Sequence, residues 1–102
     1  MPNQVPCCLN LAAVSLKKSL HEDAKKLCLK VLEVDPSNPK ALFRLGQAML
    51  GLQDYEEALV ELQKARALQP RDKSIVAAIE KVNKVKKEYE ASQKAFFAKA
   101  FQ

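Results

Sequence analysis

The sequence repeats itself at an interval of 34 residues, and this period limits the possible folds more than any other feature. Identical residues recur at this interval in the pairs Leu11/Leu45, Leu16/Leu50, Glu22/Glu56, Ala24/Ala58, Lys30/Lys64 and Pro36/Pro70. A period of this length is typical of helical repeat proteins, in which one unit cannot bury its apolar face alone and neighbouring units must stack. The period therefore predicts an all-α chain built from stacked helix-turn-helix units.

The second unit carries start and stop signals for two helices. Asn38 is a good N-cap, and Pro39 suits the first helical position because its missing N–H leaves no hydrogen bond unmade. These residues predict a helix from about Lys40 to Leu52. Asp54 and Glu57 have the spacing of a capping box, which predicts that the unit's second helix starts there.

The first unit has matching signals at the same offsets. Ser19 and Glu22 form an equivalent capping box, and Pro36 ends its second helix as Pro70 ends the helix of the second unit. Pro6 is suited to open the first helix. The chain therefore contains two like hairpins, spanning 5–38 and 39–72.

Small residues alternate with large apolar ones in both units. Ala12 and Gly46 on the first helices, and Ala24 and Ala58 on the second, permit close approach of the paired helices. The positions predicted to face the core are Leu11, Leu45, Leu62 and Ala65.

A longer helix follows, from about Lys73 towards Phe101. Its apolar residues recur at steps of three and four, which predicts an amphipathic helix that docks on the second hairpin: Ile75, Val76, Ile79, Val82 and Val85. Beyond Lys86 this stripe thins, and Phe96, Phe97 and Phe101 form an aromatic cluster near the end. The chain 1–102 is thus interpreted as a single module with a capping helix over 73–101.

Composition excludes several classes of function. The net charge of +5 favours an acidic partner, but the basic residues are scattered among acids without interleaved aromatics, which argues against nucleic acid. The longest run without a charged residue or proline, residues 7–16, is well short of the ~18 residues of a membrane span. Glycine-rich phosphate loops, nucleophile–histidine arrangements and metal-binding clusters are also missing from the sequence, so we expect no catalysis, no cofactor and no metal.

The cysteines and the histidine have structural interpretations. Cys7, Cys8 and Cys28 are odd in number and form no CxxC pair, which argues against a disulfide framework or a zinc site. We expect them to be small buried apolar residues in a reducing, cytoplasmic compartment. His21 has no partners at ligand spacing, so we interpret it as a structural residue near the start of a helix.

The spacing of the second unit resembles the tetratricopeptide repeat (TPR) pattern. The matching residues are Leu45-Gly46, Tyr55, Ala58, Leu62, Ala65 and Pro70, and the resemblance covers Val5 to Asp72, about two-thirds of the chain. The segments CLNLAAVSLK, NPKALFRLGQAMLGLQDYEEAL and KAFFAKAF are similar to the TPR segment of large immunophilins. That resemblance implies a prolyl-isomerase domain and a first repeat outside this chain, whose units match the family's second and third repeats.

The immunophilin resemblance also implies a partner and a binding site. In that family the module holds the acidic Glu-Glu-Val-Asp tail of the ninety-kilodalton heat-shock chaperone in a clamp for two carboxylates. Asn10, Lys40 and Arg44 match the clamp residues of the second and third repeats. Lys40 and Arg44 lie four apart and share a helix face, and Asn10 lies 34 residues before Arg44, so stacking places all three along one surface.

The clamp is incomplete, because the first repeat's residues have no match here. Charge-assisted hydrogen bonds contribute ~1.5–3 kcal/mol each, so two missing contacts weaken binding by roughly a hundredfold or more. We therefore expect the chain alone to bind an acidic chaperone tail weakly or not measurably.

Two other binding modes are open from the sequence. The segment from Ile79 to Phe101 is basic with bulky anchors, as calmodulin targets are, and the anchors are Val82, Val85, Tyr89 and Phe96. The face that a first repeat would cover includes Cys7, Cys8 and Leu11, and an uncovered apolar face predicts a homodimer. A scaffold with a hydrophobic groove is the third alternative.

Overall fold

The computed structural model describes residues 5–100, and all regular structure in that range is α-helical. The helices are α1 (Val5–Lys17), α2 (His21–Val34), α3 (Pro39–Gly51), α4 (Tyr55–Leu68) and α5 (Lys73–Ala100). The predicted all-α fold, with two hairpins and a long final helix, is confirmed.

The helices are arranged in two layers. α1 packs on α2 and α3 packs on α4 within each hairpin, while α2 also packs on α3 and α4 on α5 across the hairpins. α3 additionally contacts both α1 and α5. The first helices of the units and α5 therefore form one layer, and α2 and α4 form the other.

The helix ends at proline and asparagine follow the sequence signals. The side-chain oxygen of Asn38 accepts a hydrogen bond of 3.0 Å from the backbone N–H of Ala41, and Pro39 is the first residue of α3. α2 ends two residues before Pro36, and α4 ends two residues before Pro70. These boundaries differ from the predicted ones by one residue or less.

The predicted capping boxes are wrong. Neither α2 nor α4 has a side-chain cap, because the turn inside each hairpin uses backbone hydrogen bonds instead. Ser19 and Gln53 adopt positive φ angles of 59° and 65°, the left-handed conformation that ends a helix in a Schellman motif. The next N–H then reaches back to the carbonyl five residues earlier, in the pairs Leu20–Ser15 at 2.8 Å and Asp54–Met49 at 2.9 Å.

The core runs through both hairpins and the first half of α5. Leu45, Leu62, Ile75 and Val82 are among its largest fully buried side chains. A side chain at Gly46 would place its Cβ 2.6 Å from Cγ of Leu62, so only glycine permits this approach of α3 and α4. In the first hairpin the same two positions hold Ala12 and Cys28, both completely buried.

Two burial predictions for α1 are wrong. Leu11 was expected to face the core, but it is 49% exposed, and Cys7 is exposed as well. α1 buries Leu9 and Ala12 against α2 and α3, which leaves Leu11 on the opposite side, where no described helix packs. The equivalent Leu45 is buried because α3 has neighbours on both sides.

α5 has a docked half and a free half. Ile75, Ile79 and Val82 are buried, whereas residues 87–100 are exposed throughout. Phe96 and Phe97 lie in this exposed half in an edge-to-face pair with ring centroids 5.7 Å apart. The predicted thinning of the apolar stripe beyond Lys86 is confirmed, while Phe101 lies outside the described residues. None of the described helices is long and apolar enough to cross a membrane.

Candidate peptide-binding groove

A groove crosses α1, α3 and α5. Its larger part is a cleft of about 780 Å³ between α3 and α5, with Leu16 of α1 at one edge. Its smaller part, about 380 Å³, lies between α1 and α3. Both parts share Leu16, Phe43 and Gln47, so they form one continuous depression across the layer of first helices.

The charged side chains that line the groove are basic. Lys17 and Arg44 line the smaller part, and Lys81 and His21 line the larger part. Among the described residues, no carboxylate lines either part. A depression with only cationic or neutral groups is complementary to an acidic ligand.

The helix dipoles add to this positive character. The first turns of α2 and α4 each contain two acidic residues, Glu22 and Asp23 in one and Glu56 and Glu57 in the other. The first turns of α1, α3 and α5 contain none. The N-terminus of α5 is nevertheless capped by Asp72, whose Oδ1 accepts a 2.9 Å hydrogen bond from the backbone N–H of Ser74. The N-terminus of α3 is capped by the uncharged Asn38, so its partial positive charge remains on the layer that forms the groove.

Arg44 connects the two hairpins. Its Nη1 donates a 2.7 Å hydrogen bond to the backbone carbonyl of Leu9 in α1. Its guanidinium also lies near the Cys28 thiol, since its charge acts to lower the pKa of that thiol. Within residues 5–100 the ion pairs involve Lys64 and Lys86, so Arg44 has no carboxylate partner there.

The other two predicted clamp residues are at the surface. Lys40 is exposed in the first turn of α3, one turn before Arg44. Asn10 is exposed in α1, and it directly follows Leu9, whose carbonyl accepts the hydrogen bond of Arg44. Of the three residues, Arg44 lines the groove and the other two do not.

Sequence reasoning missed several residues of the groove. Lys17, Gln47 and Lys81 line it, together with the apolar residues Phe43 and Leu50. The 34-residue register contains the signal that would have found part of this set, because Gln47 and Lys81 occupy equivalent positions on α3 and α5. A comparison of the two hairpins alone does not reach Lys81, which lies beyond them in α5.

The repeat architecture agrees with comparisons to known proteins. A family model described as tetratricopeptide repeat matches residues 15–82, which is more than half of the chain. The chain belongs to the tetratricopeptide repeat family. TPR domains are protein-interaction folds, so this chain is a protein-interaction module.

The relatives of this TPR domain include immunophilins. It is 34% identical over 92 residues to FK506-binding protein 59 of Drosophila melanogaster, covering 90% of this chain and 21% of that protein. It is 42% identical over 66 residues to human peptidyl-prolyl cis-trans isomerase FKBP4, covering 65% of this chain and 14% of that protein. The chain thus spans about a fifth or less of these relatives.

A solved structure gives the same result. The C-terminal TPR-containing domain of a Plasmodium falciparum FK506-binding protein superposes with a TM-score of 0.80 and 35% identity, covering 85% of this chain and 58% of that one. The resemblance to immunophilin TPR segments that the sequence indicated is confirmed.

The cysteines of the TPR domain differ in environment. Cys28 is completely buried, and this burial raises the pKa of its thiol to about 11, partly offset by the charge of Arg44. Cys7 is exposed and Cys8 is intermediate, so the prediction of three buried cysteines holds for Cys28 alone. Among the described residues no group of three or more histidine, cysteine or acidic side chains is placed to hold a metal ion.

The proposed calmodulin anchors do not lie on one accessible face. Val82 is completely buried in the core, and Val85 is half-buried and lines the groove. Tyr89 is 44% exposed, with its ring centroid 5.6 Å from that of Tyr55, and Phe96 is 65% exposed. The side chain of Val82 packs in the hydrophobic core and is inaccessible in the folded chain, and the calmodulin-type segment stays a prediction.

Proposed function

We propose that this TPR module is a co-chaperone-type interaction domain that binds the acidic Glu-Glu-Val-Asp tail of the ninety-kilodalton heat-shock chaperone. Asn10, Lys40 and Arg44 are the proposed contacts, as a partial two-carboxylate clamp. The observation that carries the proposal is the groove across α1, α3 and α5, which is lined by cations and, among the described residues, by no carboxylate.

The three side chains suit carboxylates in different ways. Arg44 uses Nη1 for the Leu9 carbonyl, which orients the guanidinium and leaves further N–H donors for an anion. Lys40 adds a positive charge in the first turn of α3, where the helix dipole is also positive. An acidic tail stabilises both cations, because its negative charge relieves the electrostatic repulsion between Lys40 and Arg44. Asn10 adds an uncharged donor beside Leu9.

Titration calorimetry with a Glu-Glu-Val-Asp peptide, at moderate ionic strength, tests the proposal. We expect weak but saturable binding by the wild-type chain and loss of that binding in K40E/R44E. The matched control is K30E/R66E, which makes the same change of charge on exposed positions of α2 and α4. Equal weakening by both double variants would show that only net charge matters and would contradict the clamp.

A folding control is needed because R44E also removes the hydrogen bond to Leu9. Lys40 is exposed, and an acidic residue is favourable in the first turn of a helix, so K40E alone should not lower the thermal unfolding midpoint while it still weakens the peptide. A scaffold that uses only the hydrophobic part of the groove would bind its partner equally well with or without K40E.

The proposal extends to the protein that contains this module. The immunophilin relatives support an immunophilin-like protein of the cytoplasm, with any isomerase activity in a domain other than this one. The free thiols of Cys7, Cys8 and Cys28 agree with a reducing compartment.

The two alternative binding modes stay predictions. Self-association rests on an exposed apolar stripe on α1, formed by Cys7, Leu11 and Val14. Light scattering at high concentration tests it: a dimer supports the interface, and a clean monomer contradicts it. Calmodulin binding now rests on the exposed half of α5 alone, and a calcium-dependent gel shift with a peptide of residues 79–101 tests it.

A further inference from the structure

The groove does not end at α3, because α5 forms its other wall. Ser74, Ala77, Ala78 and Lys81 of α5 line the larger part. Three of these side chains are small, so the groove stays open along α5, and Lys81 is the only one of them with a charge. None of the proposed clamp residues lies on this helix.

The repeat register assigns Lys81 a defined place along the groove. It is 34 residues after Gln47, and Gln47 is one helical turn after Arg44. Ala13 holds the same position in α1. Ala13, Gln47 and Lys81 thus form a row across the three helices, next to the row that contains Asn10 and Arg44, and Lys81 is the charged end of that row.

Lys81 has no acidic partner among residues 5–100. The ion pairs within residues 5–100 join Lys64 to Glu61 and Lys86 to Glu56, and neither includes Lys81. The positions three and four residues away on α5 hold Ala77, Ala78, Lys84 and Val85, so its own helix offers no carboxylate at pairing distance. Its ammonium group is therefore available to a ligand in the groove.

We propose that Lys81 is a further anion-contacting residue, which binds an acidic side chain of the peptide upstream of the carboxylate held by Arg44. This inference rests on the proposed function. Neighbouring helices lie ~8–10 Å apart and one turn adds ~5 Å along the axis, so the two cations are separated by roughly 10 Å. An extended peptide covers this distance in about three residues.

The groove between the two cations adds a second requirement. Phe43 of α3, adjacent to Arg44, and Ala78 of α5, one turn before Lys81, line it, and both are apolar. A peptide that spans both cations therefore places an apolar side chain on this floor. The ligand class that fits is an extended tail with two acidic groups about three residues apart and an apolar residue between them.

A double-mutant experiment tests the role of Lys81. Titration calorimetry would compare wild type, K81E and K84E with a peptide ending in Glu-Glu-Val-Asp and with its Gln-Gln-Val-Asp version. Lys84 is the matched control, because it is exposed on the same helix and does not line the groove. We expect K81E to weaken the glutamate peptide about fivefold, a modest factor because the lysine is exposed, and K84E to leave it unchanged.

The glutamine peptide separates direct contact from a general charge effect. The wild-type chain should bind it less tightly than the glutamate peptide, and K81E should weaken it no further. K81E and K84E acting alike on the glutamate peptide, while K40E still weakens it, would overturn the role of Lys81 and leave the clamp intact. Failure of the wild-type chain to bind either peptide would overturn the clamp and the role of Lys81 together.

Discussion

The two hairpins have the same backbone and different chemistry at equivalent positions. Both end their first helix with a left-handed residue and a Schellman motif, at Ser19 and Gln53. Yet the first hairpin buries the pair Ala12 and Cys28 where the second buries Gly46 and Leu62. The two units therefore share the turn geometry. They differ in how the paired helices fill the space between them: alanine faces cysteine in the first unit, and glycine faces leucine in the second.

The largest expected effect lies within the first hairpin, whose two helices differ in thiol reactivity. Burial raises the pKa of Cys28 to about 11, whereas Cys7 is exposed. Because the thiolate is the reactive species, alkylation at pH 8 should be at least about a hundredfold slower at Cys28 than at Cys7. Mass spectrometry of the native protein after timed alkylation measures this, and comparable rates at the two sites would contradict the buried position of Cys28.

The same thiol makes stability depend on pH. The folded protein binds the Cys28 proton more tightly than the unfolded chain, so its contribution is fully present below the ordinary pKa of 9.0 and is lost as the pH rises towards 11. Replacing Cys28 by alanine should remove this loss of stability between pH 9 and 11. Urea unfolding at a series of pH values measures it. An unchanged slope in C28A would show that other groups are responsible.

The next largest effect concerns the packing of α3 on α4. G46A should destabilise the protein by about 1–3 kcal/mol, because the new Cβ would lie 2.6 Å from Cγ of Leu62. The double variant G46A/L62C recreates the alanine–cysteine pair of the first hairpin. Its loss of stability should be smaller than the sum of the two single losses, measured by urea unfolding in a double-mutant cycle.

If the stability losses of G46A and L62C simply add in the double variant, the two side chains do not compensate each other's volume, which would contradict this account. A12G provides the comparison within the first hairpin. It introduces no clash, so it should cost the ~0.5–1 kcal/mol of a glycine inside a helix plus about 0.8 kcal/mol for the buried methyl group that is lost.

A smaller effect is expected at the joint between the hairpins. The imidazole ring of His21 packs directly where a Cβ at Gly51 would lie, and the buried Nδ1 of His21 has no hydrogen-bond partner. G51A should therefore cost about 1 kcal/mol, less than G46A, because the half-exposed ring has room to rotate. Thermal unfolding of G51A and H21A/G51A tests this, and equal losses in both would exclude the ring as the cause.

The smallest predicted effect is on the affinity for an acidic tail when Asn10 is replaced, compared with Arg44 at the same repeat position. N10A removes one uncharged hydrogen-bond donor, so it should weaken an acidic tail about threefold, less than R44A does. N83A is the control, since Asn83 is exposed on α5 and does not line the groove. Fluorescence anisotropy with a labelled tail peptide resolves such differences, and no difference between N10A and N83A would remove Asn10 from the clamp.

The sequence predicted the fold well because the signals for it are local. Asn38, Pro39, Pro36 and Pro70 act on the backbone directly, so helix ends followed from them. The turns at Ser19 and Gln53 were missed because neither residue is a glycine, the usual residue for a left-handed turn.

The site was predictable only in part, for a physical reason. The repeat register gave the helix faces of Asn10, Lys40 and Arg44, but a register cannot show a hydrogen bond between hairpins. The bond from Arg44 to the Leu9 carbonyl joins residues 35 positions apart and depends on how α1 and α3 pack. The exposure of Leu11 likewise depends on which helices are its neighbours rather than on its place in the pattern.

Chemical-shift mapping tests the central claim most directly. An isotope-labelled chain titrated with a Glu-Glu-Val-Asp peptide would report weak binding residue by residue. The account predicts that the amide shifts concentrate on the groove residues Arg44, Gln47 and Lys81 and on the neighbouring Asn10 and Lys40, with little change along α2 and α4. Shifts concentrated on α2 and α4 or on the exposed half of α5, with the groove unaffected, would contradict it.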